Sequence, residues 1–475
     1  MENTYTLIIH GWSDCTASFV DMKKRFEERG IGNVESILYA DYQSREDNIT
    51  FNDVIDGLNR QMIDLGLIQP DGTSEFDLNV IVHSTGGLVI RHWIWRYYND
   101  RIEDCPVKRI VMLAPANFGS PLAHRGKSFL GRLVKGRWKV GDFLEVGRRL
   151  LDGLELASPY QWELAHRDLF YPQKTFYQSD RIQLTILTGI EDYSGIRGWV
   201  NKPGTDGTVV IAGCSMDSVK LNLDFSDPEA PYRWQKTKTA NDFAFGVLEG
   251  LDHGTITSEF EKSEGEIIDL TIEALSISSP EQFSEFRSKV NEITNATYSK
   301  NAGRAHNKYS PYQQFIIRAV DDHDIGIRDY TIEFYIFKSA KEEERLIGKE
   351  RYFNQTEQML SEEFHRIFTR EFHTHSKDSS YRRLLVNMAD MNEMIEKAKM
   401  QLGPFVLCMK IFVPGIDRGI YYDLDSLQNI VIYHSENNDL GTPMLFYGNT
   451  TTMVELRVKR QTSYVKISKE GKGQG

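Results

Sequence analysis

The sequence predicts two fold types in one chain: an α/β fold with a mostly parallel sheet over residues 1–279, then an antiparallel β-sandwich over 313–468. Strand-like and helix-like segments alternate through the first half. Several of those strand-like segments are continuous apolar runs, as required where helices cover both faces of a parallel sheet. Past about residue 280 the pattern shifts to short β-branched and aromatic stretches between turn-rich pieces, the mark of a sandwich.

In chain order, strands are expected at 6–12, 34–42, 77–84, 108–115, 181–190 and 243–250. Helical patterns fall at 17–29, 51–65 and 86–99, with another at 259–276 after the last strand. Such alternation implies right-handed strand–helix–strand crossovers. Residues 117–180 break the rhythm and read as an insertion between two strands. Residues 280–312 read as a helix and linker, the Asn-, Gly- and Ser-rich stretch 294–312 being the linker. The sandwich strands are expected at QQFIIRAVDD, YTIEFYIF, FHRIFTREFHTHS, PFVLCMKIFV, NIVIYHSE and MVELRVKR. One helix is expected among them at 388–402, and the tail 469–475 is expected to be disordered.

Composition narrows the possible functions. The 475 residues are 40% hydrophobic and 26% charged, enough for two or three cores and unlike a disordered or collagen-like chain. A net charge of −12 argues against a general nucleic-acid binder. Cys15, Cys105, Cys214 and Cys408 are far apart, without a CxxC pair, so no disulfide framework is implied. The N-terminus lacks the basic and long apolar regions of a secretory signal. No apolar run approaches the roughly 20 residues that span a bilayer. The expectation is a soluble, cytoplasmic protein.

The sharpest local signal is VIVHSTGGLVIRHW, residues 80–93: an apolar strand, then His-Ser-Thr-Gly-Gly, then a helix. A serine on such a turn is pushed above the sheet, close to a helix N-terminus that favours negative charge. Gly86, two residues after Ser84, lets strand and helix backbones approach closely. The matching position two residues before is Val82, which departs from the G-x-S-x-G pattern. An acid and a histidine then follow at the ends of later strands, in the order this turn demands. GTDGTVVIAG offers Asp206, with Asp192 the rival acid, and LDHGTIT offers His253. IIHGWSD, at the end of the first strand, offers an oxyanion loop. The backbone N–H groups of Trp12 and Thr85 are the expected donors. His10 is expected to brace that loop beside Gly11, and Trp12 is equally suited to wall an acyl pocket.

Together, IIHGW, VHSTGGLV, TDGTVV and LDHGT resemble the lipase and esterase side of the α/β-hydrolase superfamily, over roughly residues 4–275. The resemblance implies a compact sheet of about six mostly parallel strands, the usual first antiparallel strands being absent. It implies Ser84 as nucleophile, His253 as base and Asp206 as its orienting acid. It also implies an acyl-ester substrate, a lipid or a small ester, and no metal or organic cofactor. The alternatives on the same residues are a thioesterase or amidase, and a hydrolase scaffold whose C-terminal domain carries recognition.

The insertion occupies the lid position of lipase-like relatives. Residues 125–149 hold eight basic and two acidic side chains, interleaved with apolar ones such as Phe129, Trp138 and Phe143. They suit either an anionic membrane surface or a cap closing over the site. Elsewhere, Asp321, Asp322, Asp324 and Asp329 around His323 lack calcium-loop spacing. His373 and His375 lack a third ligand for a metal.

Overall fold

The computed structural model describes residues 4–11, 19–31, 37–40, 47–123, 148–171, 175–194, 201–226, 234–301, 309–339, 354–415, 419–422, 427, 430–436, 445–465 and 467. The first region alternates β1 (Thr4–Ile9), α1 (Val20–Glu28), β2 (Ile37–Ala40), α2 (Phe51–Asp64), β3 (Asp77–His83), α3 (Gly86–Tyr98) and β4 (Val107–Leu113). Helices α4 (Arg148–Leu154) and α5 (Pro159–Asp168) lie in the insertion before β5 (Gln183–Gly189). The short α6 (Ile211–Cys214), β6 (Ser218–Asp224) and β7 (Trp234–Lys238) precede the returning strand β8 (Phe243–Leu248). After β8 come α7 (Thr255–Ser258), α8 (Glu266–Ser276) and α9 (Pro280–Asn301).

Six strands form one parallel sheet in the order β2-β1-β3-β4-β5-β8, as expected from the apolar runs. Every residue of β5 and all but the first of β3 are buried, the pattern of strands covered on both faces. Local chemistry starts the helices. Thr50 and Asp53 form a capping box on α2, and Ser158 caps α5 with Pro159 at its first turn.

The C-terminal part begins with β9 (Tyr312–Asp321) and β10 (Thr331–Lys338), followed by α10 (Gln355–Thr369), β11 (Phe372–Thr374), β12 (Tyr381–Asn387) and α11 (Met388–Leu402). It continues with β13 (Phe405–Phe412), β14 (Ile420–Tyr422), β15 (Ile430–His434), β16 (Thr450–Val458) and β17 (Arg460–Thr462). Sheets β10-β13-β15 and β11-β12-β9-β16-β6-β7 share a core that includes Phe315, Ile336, Leu407 and Leu456. In the larger sheet β16 runs parallel to both β9 and β6, the other pairs being antiparallel. Thus β6 and β7, from the first half of the chain, are strands of the second half's sheet.

Two expectations are corrected. Most of FHRIFTREFHTHS is not strand: Phe364–Thr369 ends α10, and only Phe372–Thr374 pairs in a sheet. The Asn354–Glu357 capping box and the buried Leu360, Phe364, Ile367 and Phe368 at helical spacing outweigh aromatic content. The first eight residues of the 294–312 linker are helix, because α9 continues to Asn301. The Thr294 hydroxyl accepts from the Val247 N–H at 3.0 Å, tying that helix to β8. Among the described residues, no helix is long and apolar enough to cross a membrane.

A buried carboxylate joins the insertion to the second sheet. Glu155 accepts from His373 Nε2 at 2.9 Å, from the Ser376 N–H at 2.8 Å and from the Ser376 hydroxyl at 2.6 Å. His375 Nε2 stands 3.7 Å from the same group. Burial alone raises the Glu155 pKa, but these donors outweigh it and hold the carboxyl down at about 2. A depressed folded-state pKa stabilises the fold fully above the unfolded value near 4.3. That contribution fades as pH falls through the folded value of about 2. Glu155→Gln should therefore lower stability at pH 7 by about 2–3 kcal/mol. Urea unfolding should show the gap between variant and wild type closing below about pH 4. An equal gap at pH 3 and pH 7 would contradict this.

Candidate active site

Ser84 sits on the sharp turn between β3 and α3 with φ +54°, a left-handed conformation unusual for a residue with a Cβ. Its N–H donates to the Leu113 carbonyl at 3.1 Å, and its carbonyl accepts from Ala116 N–H at 3.0 Å and Gly87 N–H at 3.2 Å. These bonds to the end of β4 and the first turn of α3 over-determine the strained backbone. Close approach explains the small residues around it. A Cβ on Gly11 would stand 2.7 Å from that of Ser84, and one on Gly86 would stand 2.9 Å from the Ile9 carbonyl. Val82 is tolerated because Gly86 supplies the gap: a Cβ there would lie 3.1 Å from Val82 Cβ.

The turn, the loop before α6 and the loop after β8 converge. His253 Nε2 accepts the Ser84 hydroxyl at 3.1 Å, and its Nδ1 donates to Asp206 Oδ2 at 2.9 Å. Asp206 Oδ1 accepts from the N–H groups of Thr208 at 3.0 Å and Val209 at 2.8 Å. The His253 N–H donates to the Asp206 carbonyl at 2.9 Å, so the two loops are also joined through backbone. Asp206 and His253 are buried while Ser84 stays partly open. The acid loop is braced from the second sheet: the Tyr312 ring leaves a Cβ at Gly204 only 2.7 Å of room.

The three residues predicted from the motif order are therefore in contact, and Asp206, not Asp192, is the carboxylate on His253. Thr85, at the N-terminus of α3, and the buried His10 both adjoin Ser84's turn. His10 Nδ1 donates to the Gly11 carbonyl at 2.6 Å. Trp12 lies outside the described residues. So do 125–147 of the basic stretch; Arg148 and Arg149 begin α4.

Sequence reasoning left two groups unassigned. His83 Nε2 donates to the His253 carbonyl at 3.1 Å, with ring centroids 4.7 Å apart, and so supports the histidine loop from below. Its adjacency to Ser84 in the motif was the available signal. Arg91, seven residues after Ser84 on α3, makes a fully buried bidentate pair with Asp168, at 2.7 and 2.9 Å. That pair fastens the base of the insertion to the serine helix, a geometry that matches guanidinium to carboxylate. Of the weaker candidates, Asp321 receives the N–H groups of His323 and Ile325 and pairs with Arg460, and Asp324 pairs with Arg457. His373 and His375 face Glu155. Among the described residues, no group of three His, Cys, Asp or Glu is arranged to hold a metal.

The parallel sheet and the serine turn above its edge define the class: the chain has an α/β-hydrolase fold. The particular likeness extends over nearly the whole chain. The phospholipase PlaB from Legionella pneumophila is similar at 23% identity and a TM-score of 0.78, over 99% of this chain and 97% of that one. The same enzyme in complex with thio-NAD is similar at 22% identity and a TM-score of 0.75, with the same coverage. No family model and no curated protein matches the chain.

Proposed function

We propose that this protein is a serine hydrolase of carboxylic esters, and that its substrates are lipid esters. The observation that carries the reading is the Ser84–His253–Asp206 relay, with hydrogen-bonded distances of 3.1 and 2.9 Å, on a strained turn at the head of a helix. Ser84 Oγ attacks the ester carbonyl while His253 Nε2 takes its proton. The carbonyl oxygen becomes an oxyanion, held by the Thr85 N–H and that of Trp12. On collapse the C–O bond breaks and His253 returns the proton to the leaving alkoxide. Water, deprotonated by His253 in turn, then releases the acid and restores Ser84. Asp206 keeps the proton of neutral His253 on Nδ1 and stabilises the cation.

The whole-length likeness to a phospholipase supports lipid over small-molecule esters. Peripheral contact of residues 125–149 with an anionic membrane, at a cytoplasmic face, belongs to the same proposal. The test is a fluorophosphonate probe, then a panel of esters differing in acyl length and head group, thioesters included. Labelling at Ser84 and preference for phospholipid or long-chain esters are expected. Absence of labelling in the folded protein would favour a scaffold role, and preference for thioesters or short esters would replace the lipid assignment.

A further inference from the structure

Asp206 lies where the chain crosses from one sheet to the other. The chain leaves the parallel sheet at the end of β5 and enters the second sheet as β6, with the acid loop and α6 between them. Hydrogen bonds within the loop fix its shape. The Asp206 N–H donates to the Val209 carbonyl at 3.2 Å, and the Ile211 N–H donates to the Gly204 carbonyl at 2.9 Å. Those bonds set the carboxylate relative to its own loop. They do not set the loop against His253, and a connecting segment has little stability of its own to do so.

Two tyrosine rings grip the loop from opposite domains. Tyr193, which follows β5, lies against Gly207, where a Cβ would stand 2.7 Å from the ring. Its hydroxyl shares a 2.7 Å hydrogen bond with that of Thr208. Tyr312, which opens β9 of the sandwich, lies against Gly204 at the same 2.7 Å. Both glycines have positive φ, +94° and +67°, so the loop meets each ring with bare backbone and no side chain between to absorb a shift. Tyr312 is itself held firmly, being only 5% exposed. Its hydroxyl accepts from Asn387 Nδ2 at 3.1 Å, and Asn387 in turn caps α11. Its carbonyl accepts from the Asn449 N–H at 2.7 Å. The ring shares one apolar cluster with Leu156 of the insertion, Val210 and Ala212 at α6, and Leu385 of β12. Beside it the Thr451 hydroxyl of β16 donates to the Ala212 carbonyl at 3.1 Å. A rigid end of the second sheet is thus pressed onto the acid loop two residues from Asp206.

We propose that Tyr312 is a positioning residue of the active site: through Gly204 it holds the Asp206 carboxylate on His253. This rests on the ester-hydrolase reading above and gives the C-terminal domain a part in the rate, rather than in recognition alone. The carboxylate acts only at hydrogen-bonding distance from Nδ1, so a brace from the other domain sets how often the relay is assembled.

The test separates positioning from general damage. Tyr312→Ala should lower kcat for p-nitrophenyl acetate by about 10², the cost of a displacement of about 1 Å at a catalytic group. KM should change little, as when only a transition-state interaction is lost. Tyr312→Phe keeps the ring on Gly204 and should retain most of the wild-type kcat. In an Asp206→Asn background the alanine substitution should add almost nothing, because residues that act through one another are not additive. A second loss of about 10² in that background would mark general damage and overturn the proposal. Hydrogen exchange supplies a readout that needs no substrate. The Thr208 and Val209 amides, which bond Asp206 Oδ1, should exchange faster in Tyr312→Ala. Tyr312→Leu, which keeps apolar bulk in the cluster, serves if the alanine variant fails to fold. Wild-type kcat in either folded variant would overturn the proposal, as would unchanged exchange at those two amides. Faster exchange in the variant of a protein that hydrolyses no ester would instead sustain the brace and overturn the hydrolase reading.

Discussion

Ser84→Ala should abolish ester hydrolysis, lowering kcat by about 10⁶ as loss of the nucleophile does in another serine hydrolase, with little change in the fold. The backbone at Ser84 is strained with φ +54°, but alanine carries the same Cβ and inherits the same strain. The three backbone bonds that hold the turn, to Leu113, Gly87 and Ala116, use no atom of the hydroxyl. What is lost is the hydrogen bond to His253 Nε2, worth about 1 kcal/mol. Thermal unfolding should therefore shift by only a few degrees, and fluorophosphonate labelling should vanish. Activity within tenfold of wild type would remove Ser84 from the reaction.

The serine and histidine were legible because each sits in a short contiguous motif at a strand end, and because the order Ser, Asp, His is fixed by the fold's winding. The departure at Val82 loses its weight in three dimensions, where Gly86 alone provides the clearance. The acid was read as Asp206 from TDGTVV, with Asp192 kept as the rival because both follow β5. Position decides it: the Thr208 and Val209 amides and the Tyr312 ring on Gly204 aim the 206 carboxylate at His253, and Tyr312 comes from a strand more than 100 residues later. The brace from His83 was hidden for the same reason, its partner carbonyl being 170 residues away. The alternating SVKLNLD reads as a strand once its pairing is known, yet its partner β16 lies in the other half of the chain. In α10 the aromatic content pointed to a strand, whereas the Asn354 cap and the helical spacing of Leu360, Phe364, Ile367 and Phe368 decide for a helix.

The acid makes the second large effect. Asp206→Asn should lower kcat by about 10⁴, and the reason is orientational. Oδ1 already accepts two backbone N–H groups, at 3.0 and 2.8 Å, so the asparagine oxygen must take that position. Its NH₂ then faces His253 Nδ1, which in wild type donates to Oδ2 at 2.9 Å. Two donors cannot face each other, so the imidazole moves its proton to Nε2. In that tautomer Nε2 no longer accepts the Ser84 proton, and the nucleophile loses its base. Flipping the amide offers no escape, because the NH₂ would then meet the two backbone donors. The probe-labelling rate should fall with kcat, since both need the same proton transfer. Asp192→Asn should cost little on either measure. If Asp192→Asn is the crippling change and Asp206→Asn is mild, the relay runs through the other carboxylate and the assignment of the acid is wrong.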